Sequence, residues 1–239
     1  MRYPLHDPLA RTVKLLEHYG VSCVVDVGAN DGGFASAIRA LGYRGQIISF
    51  EPLNAPFRSL SRLAKADGAW EVMQCAVGDS KSQMTMHVSG NSGLSSSILP
   101  MLKAHTDVAP NSTYVGTETV GQERLDDLLP ERNIGPESRM FLKVDVQGYE
   151  RAVLDGASRL FADRTIIGLQ MELSLVPLYE GAMTYREALD RAEGLGMTLM
   201  GLDPVFTDPR SGQLLQADAV FFHDESLVSR QRHEIGDEK

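Results

Sequence analysis

Val24-Val25-Asp26-Val27-Gly28-Ala29-Asn30-Asp31-Gly32-Gly33-Phe34 is the stretch on which the fold turns. It begins inside a compact apolar run, Cys23 to Val27, the pattern of a buried strand. Gly28 closes that run, and Gly32 and Gly33 precede a second apolar segment. Glycines at such a turn let the backbone approach a ligand closely, and the helix that follows offers free N–H groups at its start. The segment is not the dinucleotide fingerprint G-x-G-x-x-G, because Asn30 stands at the second glycine position. A side chain there crowds a pyrophosphate but leaves room for an amino-acid carboxylate or a ribose. A tight turn of purely structural meaning is the competing reading.

Outward from this turn the chain alternates. Phe34 to Leu41 reads as a helix, Gln46 to Phe50 as a strand, Leu53 to Ala66 as a helix and Glu71 to Val77 as a strand. After a polar middle section, Met140 to Val146 reads as a strand, Tyr149 to Phe161 as a helix and Ile166 to Leu173 as a strand. Leu9, Val13 and Leu16 mark an opening helix within residues 1–20, and Thr184-x-x-Glu187 is a capping box that starts another. Met197 to Leu202 and Ala217 to Phe222 are strands with no helix between them, joined by a turn-rich link holding Pro204, Pro209 and Gly212. Repeated β-then-α units imply right-handed crossovers and a parallel sheet. The expected architecture is therefore α/β and Rossmann-like, a mostly parallel seven-stranded sheet with helices on both faces and an antiparallel edge strand. With no linker-like composition anywhere, residues 1–239 are expected to form a single domain with a polar tail at 224–239.

Composition narrows the function. With 43% hydrophobic and 23% charged residues the chain can build a full core, and its net charge of −9 argues against a broad nucleic-acid footprint. Cys23 and Cys75 each lie in an apolar run, as buried free thiols do. No run approaches the ~20 apolar residues of a membrane span, and Met1 to Ala10 lacks the apolar stretch of a secretory signal. A cytoplasmic protein without membrane or nucleic-acid partners is expected.

Glu51, 23 residues beyond Gly28, ends the second strand in Phe50-Glu51-Pro52. An acid about 20 residues past such a turn is placed to accept hydrogen bonds from ribose hydroxyls. Asp26-Val27-Gly28-Ala29-Asn30-Asp31-Gly32, Phe50-Glu51-Pro52, Ala76-Val77-Gly78-Asp79, Leu125-Asp126-Asp127-Leu128 and Lys143-Val144-Asp145-Val146-Gln147-Gly148-Tyr149-Glu150, in that order, resemble the motifs of FkbM-type methyltransferases. The resemblance runs from about Val21 to Glu172. It implies a class I methyltransferase fold, S-adenosylmethionine as methyl donor, and O-methylation of a sugar, glycoside or polyketide-type natural product. It also implies a cofactor set of Asp26, Gly28, Ala29, Asn30, Glu51, Pro52, Ala76, Val77 and Asp145. Within it Gly28 and Asn30 would lie along the methionine part, Glu51 on the ribose, and Ala76 and Val77 beside the adenine. At position 147 the family pattern usually has Glu, whereas this chain has Gln.

The period of two puts Lys143 and Asp145 on one face of an otherwise apolar strand, where charges are costly unless they pair, bind a ligand or reach the sheet's end. A structural Lys–Asp pair is the bland reading. Glu172 ends the next strand, so it and Asp145 would lie on adjoining strands and could share a substrate hydroxyl or a cation. Methyl transfer needs alignment with the acceptor, exclusion of water and removal of the hydroxyl proton. A carboxylate can take that proton in concert with bond formation or with help from a metal such as Mg²⁺. The catalytic set is read as Asp145, with Glu150, Glu172 and Lys143 in support. Residues 89–112, with the Ser-rich run Ser92 to Ser97, read as a substrate lid loop; Ser95, Ser96, Gln147 and Tyr149 are the substrate-binding candidates. Of six scattered histidines only His105 draws notice, through that setting. The rival readings are a non-catalytic cofactor-binding protein and a Rossmann-type oxidoreductase. The second lacks both the middle glycine and a Tyr-x-x-x-Lys pair.

Overall fold

The computed structural model describes residue 4, residues 6–132, residue 134 and residues 138–223; the tail at 224–239 lies outside them. In chain order the elements are α1 (Pro8–His18), β1 (Cys23–Val27), α2 (Gly33–Ala40), β2 (Gln46–Phe50), α3 (Asn54–Ala64), β3 (Trp70–Met73), β4 (Ala76–Val77), β5 (Ser82–Ser89) and α4 (Lys103–Val108). They continue with β6 (Tyr114–Glu123), α5 (Leu125–Leu128), β7 (Met140–Val144), α6 (Glu150–Asp155), α7 (Ser158–Ala162), β8 (Ile166–Ser174), α8 (Tyr185–Gly194), β9 (Thr198–Thr207) and β10 (Leu214–Phe222).

Seven strands form one sheet in the order β3-β2-β1-β7-β8-β10-β9. All neighbours pair in parallel except β10, which runs antiparallel to both β8 and β9. The hairpin does form one edge of the sheet, with its reversed strand second from that edge. This is the mostly parallel, seven-stranded α/β sheet expected from the sequence. The order reverses between β1 and β7, and ligands of such sheets bind outside the carboxyl ends of the strands at this point.

Both faces are covered. Val24, Phe141 and Phe222 pack with Leu16 of α1, Ile38 of α2 and Leu60 of α3. Val25, Leu142 and Leu169 face Val153, Phe161 and Ala188 of the later helices. The central strands are buried on both faces, which is why β1 and β2 appear in the sequence as largely apolar runs.

The structure corrects three sequence expectations. Glu71 to Val77 is two strands: β3 belongs to the large sheet, whereas β4 pairs with β6 in a second sheet of order β4-β6-β5. The polar middle section therefore contains a sheet and a helix, not an irregular connection. Tyr149 to Phe161 is also divided, into α6 and α7, because Gly156 packs against the Gly78 carbonyl so closely that a Cβ would lie 2.0 Å from it. Asp126, in the quoted Leu125-Asp126-Asp127-Leu128 motif, then caps the new helix start by accepting from the Arg159 N–H at 3.1 Å and the Leu160 N–H at 3.2 Å. Thr184 and Glu187 make the expected capping box at α8.

Candidate active site

A cavity opens at the reversal point. Gly28 and Asn30 from the β1 turn, Glu51 and Pro52 after β2, and Ala76 and Val77 of β4 line it. Asp145, Gln147 and Tyr149 after β7 line it too, while Met86, Leu94 and Ile98 close it from the small sheet and its loop. Of the residues expected from the sequence, Asp26, Ala29, Lys143, Glu150, Glu172 and Ser95 fall outside this lining.

The turn is tight for a reason. Gly28 has φ +80, and a Cβ on it would lie 1.8 Å from the Asp145 carbonyl oxygen. The backbones after β1 and β7 touch there, and the Asp145 N–H donates to the Val27 carbonyl at 3.0 Å. Asn30 (φ +47) and Gln147 (φ +55), two of the non-glycine residues in the left-handed region, both line the cavity, and the carbonyl of a third, Ser92 (φ +62), accepts from Asn30 Nδ2 at 3.4 Å. Strained backbone of this kind concentrates where a site is pre-formed.

Glu51 is buried, and it accepts the Asn30 N–H at 2.9 Å and the Leu53 N–H at 2.8 Å. Burial pushes its carboxyl up to about 7, against the pull of those two N–H donors. The carboxylate thus ties the glycine turn to the start of α3, and it does so from the cavity wall.

Lys143 Nζ lies 3.2 Å from Asp26 and 3.4 Å from Asp145, so the bland and the chemical readings of that strand are both met by one ammonium. Burial alone would lower the Lys143 pKa, yet the two carboxylates overcome it and leave it raised. Asp26 is fully buried; burial raises its carboxyl and the Lys143 charge partly offsets this. Asp145, whose side chain is 41% exposed, is the member of this group that reaches the cavity.

Asp145 and Glu172 are bridged by an amide donor. The Gln147 side chain lies between them: its Nε2 donates to Asp145 Oδ1 at 2.8 Å and to Glu172 Oε2 at 3.2 Å. Tyr179, from the loop after β8, donates its hydroxyl to Gln147 Oε1 at 2.8 Å, which fixes the amide with its N–H groups toward the acids. Gln216 of β10 donates to Glu172 from the other side. Glu172 is held well above its ordinary pKa by burial first and then by the Asp145, Asp218 and Glu150 charges. Among the described residues no group of three or more His, Cys, Asp or Glu is arranged to hold a metal ion.

Glu150 turns back into its own helix start, accepting the Gly148 N–H at 2.9 Å, and burial pushes it up to about 7. It shapes the Asp145–Gly148 turn and does not face the cavity.

The serine-rich segment is folded down. Ser97 donates to the Gln147 carbonyl at 2.7 Å, Ser96 Oγ accepts the Ser89 N–H at 3.0 Å, and Ser95 Oγ lies 3.4 Å from His105 Nε2. These hydroxyls make contacts within the protein that hold the segment down, and Ser96 lines the cavity while Ser95 does not. His105 is buried with its pKa lowered by that burial, wedged beside Tyr179.

Sequence reasoning passed over Tyr179, Gln216 and Ser97. The first two lie in a loop at a carboxyl end of the sheet and on a reversed strand. Only the rule that carboxyl-end loops carry function would have drawn attention to Tyr179. Cys23 and Cys75 are free and buried, with thiols pushed up to about 12 and 11. No helix among the described residues is long and apolar enough to cross a membrane.

Residues 26–197 match the family model described as the methyltransferase FkbM domain. The 2-O-methyltransferase NoeI of Sinorhizobium fredii (strain NBRC 101917 / NGR234) is 30% identical over 174 residues, 70% of this chain and 69% of that protein. Among solved structures, methyltransferase FkbM from Methylobacillus flagellatus KT superposes with a TM-score of 0.49 at 16% identity, covering 84% of this chain. The match spans only 43% of that protein's chain. The 1,6-didemethyltoxoflavin-N1-methyltransferase of Burkholderia thailandensis, solved with its substrate and S-adenosylhomocysteine, gives a TM-score of 0.47 at 10% identity over 91% of this chain and 79% of its own.

Proposed function

This chain belongs to the FkbM methyltransferase family, and on that premise we propose that it transfers a methyl group from S-adenosylmethionine to a hydroxyl of a small-molecule acceptor, a sugar, glycoside or polyketide-type product. The carrying observation is that the Gly28 turn, the Glu51 carboxylate and Asp145 line one cavity at the point where the strand order reverses.

The residues fit this cofactor. Gly28, without a Cβ, lets the backbones after β1 and β7 meet at the cavity wall, Glu51 presents an acceptor to ribose hydroxyls, and Ala76 and Val77 offer an apolar wall to a purine ring. Bound there, S-adenosylmethionine supplies an electrophilic methyl group on a sulfonium. Asp26 stays out of direct contact and acts through Lys143, and Ala29 and Pro52 shape the two turns. The name of NoeI, a 2-O-methyltransferase, supports oxygen as the atom methylated.

Asp145 Oδ2 is the atom we assign to the acceptor's proton, taken as the new C–O bond forms. Lys143 supplies a compensating positive charge beside it, and Gln147 holds Oδ1 in place. With the amide of Gln147 between Asp145 and Glu172, the carboxylates are bridged by N–H donors, which supports a reaction that does not call on Mg²⁺. Leu94, Ser96 and Ile98 from the folded-down segment exclude water from the cavity, and Tyr149 borders the acceptor side.

The test is transfer of an isotopically labelled methyl group from S-adenosylmethionine to a panel of glycosides, with products read by mass spectrometry. Binding of S-adenosylhomocysteine without NADH binding is expected in calorimetry; the reverse would replace this reading by an oxidoreductase.

A further inference from the structure

A second cleft lies on the α1 side of the sheet, bounded by the start of α1, Phe34 of α2, and the strands β8, β10 and β9. It shares no lining residue with the cofactor cavity, but Lys143 joins the two. Its ammonium lies 5.3 Å from the centre of the Phe34 ring, a wall of the cleft, and 3.4 Å from Asp145, a wall of the cavity. A ligand in the cleft thus stands one side chain away from the carboxylate assigned to the chemistry.

The polar side chains of the cleft have unmet needs of one kind. Gln170 is 8% exposed, donates its Nε2 to Asp218 at 3.2 Å, and has no hydrogen-bond partner for its Oε1. Asp218 is half-buried, its carboxyl pushed up to about 6 by burial and by the Asp145 charge. Asp203 is paired with Arg11, and the Thr12 hydroxyl already donates to the Pro8 carbonyl at 3.1 Å. These side chains offer chiefly lone pairs, on Gln170 Oε1 and the two carboxylates. Phe34, Pro204 and Val205 are among the apolar walls. A ring with donating hydroxyls around its rim and C–H groups on its face satisfies both; an anion would meet Asp218 and Asp203.

We propose that this cleft receives a non-anionic pyranose ring of the acceptor, whose hydroxyls donate to Gln170 and Asp218 while its C–H face rests on Phe34 and Val205. The assignment rests on reading the chain as a methyltransferase of a sugar-bearing acceptor, and it adds where that sugar sits and what charge it cannot carry.

The experiment titrates the S-adenosylhomocysteine-loaded protein with methyl glucoside, glucosamine and glucuronate, followed by saturation-transfer NMR. The first two should bind and glucuronate should not. Val205→Trp, which fills the cleft from an exposed wall, and Gln170→Leu should each weaken pyranoside binding at least about tenfold, or ~1.4 kcal/mol. S-adenosylhomocysteine affinity should stay within about twofold, below ~0.4 kcal/mol. Absence of pyranoside binding to the native protein, equal binding of glucuronate, or unchanged binding in a Val205→Trp protein with native thermal stability would each overturn the proposal. Failure of S-adenosylhomocysteine to bind the native protein would instead remove the methyltransferase reading.

Discussion

Gln147 and Asp145 are joined by a 2.8 Å hydrogen bond in which the amide is the donor, on a backbone held at φ +55. The same nitrogen reaches Glu172. A glutamate at 147 would turn this bridge into a third carboxylate facing two others, a group that either takes up a proton or recruits a cation. Gln147→Glu should therefore lose about 1–3 kcal/mol of stability in EDTA through the lost donor. Millimolar Mg²⁺ should restore much of it, with cofactor affinity little changed. Methyl transfer and urea unfolding of both forms, with EDTA and with Mg²⁺, measure this; strict Mg²⁺ dependence of the native protein, unaltered by the substitution, would contradict it.

Tyr179 sets which end of that amide faces the acids. Its hydroxyl donates to Gln147 Oε1 and also lies 3.2 Å from the Ser95 carbonyl. Tyr179→Phe leaves Gln147 Oε1 without this donor and should cost about 1–3 kcal/mol. Turnover should fall while the affinity for S-adenosylhomocysteine stays near native. A variant of native stability and native turnover would mean that the amide is oriented by other contacts.

Asp145→Asn keeps an oxygen for Gln147 but removes the proton acceptor. Turnover should drop by the ~10²–10⁴-fold typical of a lost general base, with cofactor binding much less affected. Rates from single-turnover experiments are the measurement. Full activity would move the proton to Glu172.

Glu51 makes cofactor affinity depend on pH. Its folded-state pKa of about 7 exceeds its ordinary 4.5 because it is buried. Between those values the free protein holds a proton that an unfolded chain would release, so this group's contribution to stability falls as pH rises from 4.5 to 7. Ribose hydroxyls donate to the charged form, so binding should expel that proton and tighten as pH rises through the same window. Calorimetry in buffers of different ionisation heat should detect proton release in the native protein and none in Glu51→Gln.

The large sheet was legible because its central strands are short apolar runs punctuated by glycine: Cys23–Val27 and Gln46–Phe50 appear in the structure with the bounds read from sequence. The small sheet was not. Met84, Met86 and Val88 of β5 alternate as a half-buried strand should, but Ser, Gln and Thr between and around them resemble a loop. Periodicity also could not show that the chain leaves one sheet at Met73 and enters another at Ala76, since a change of partner leaves no mark on the side-chain pattern. Of the motif residues, Gly28, Asn30, Glu51 and Asp145 line the cavity and Asp26, Ala29, Lys143 and Glu150 do not, whereas Tyr179 and Gln216 earn their places through partners far away in sequence. The serine hydroxyls show the same limit: a hydroxyl in a sequence carries no sign of which group it already bonds.

The contact between Gly28 and the Asp145 carbonyl has a consequence for how the protein acquires its activity. One part of the pocket is encoded before residue 100 and the other after residue 140, and the two meet only when β7 has docked beside β1. A nascent chain that has completed β1 to β4 holds the Gly28 turn, Glu51, Ala76 and Val77, yet lacks Asp145 and the backbone on which that turn rests. Ligand binding should therefore arrive late in folding and all at once. S-adenosylhomocysteine would then serve as a probe of the finished sheet, protecting strands on both sides of the reversal point from hydrogen exchange as a single unit.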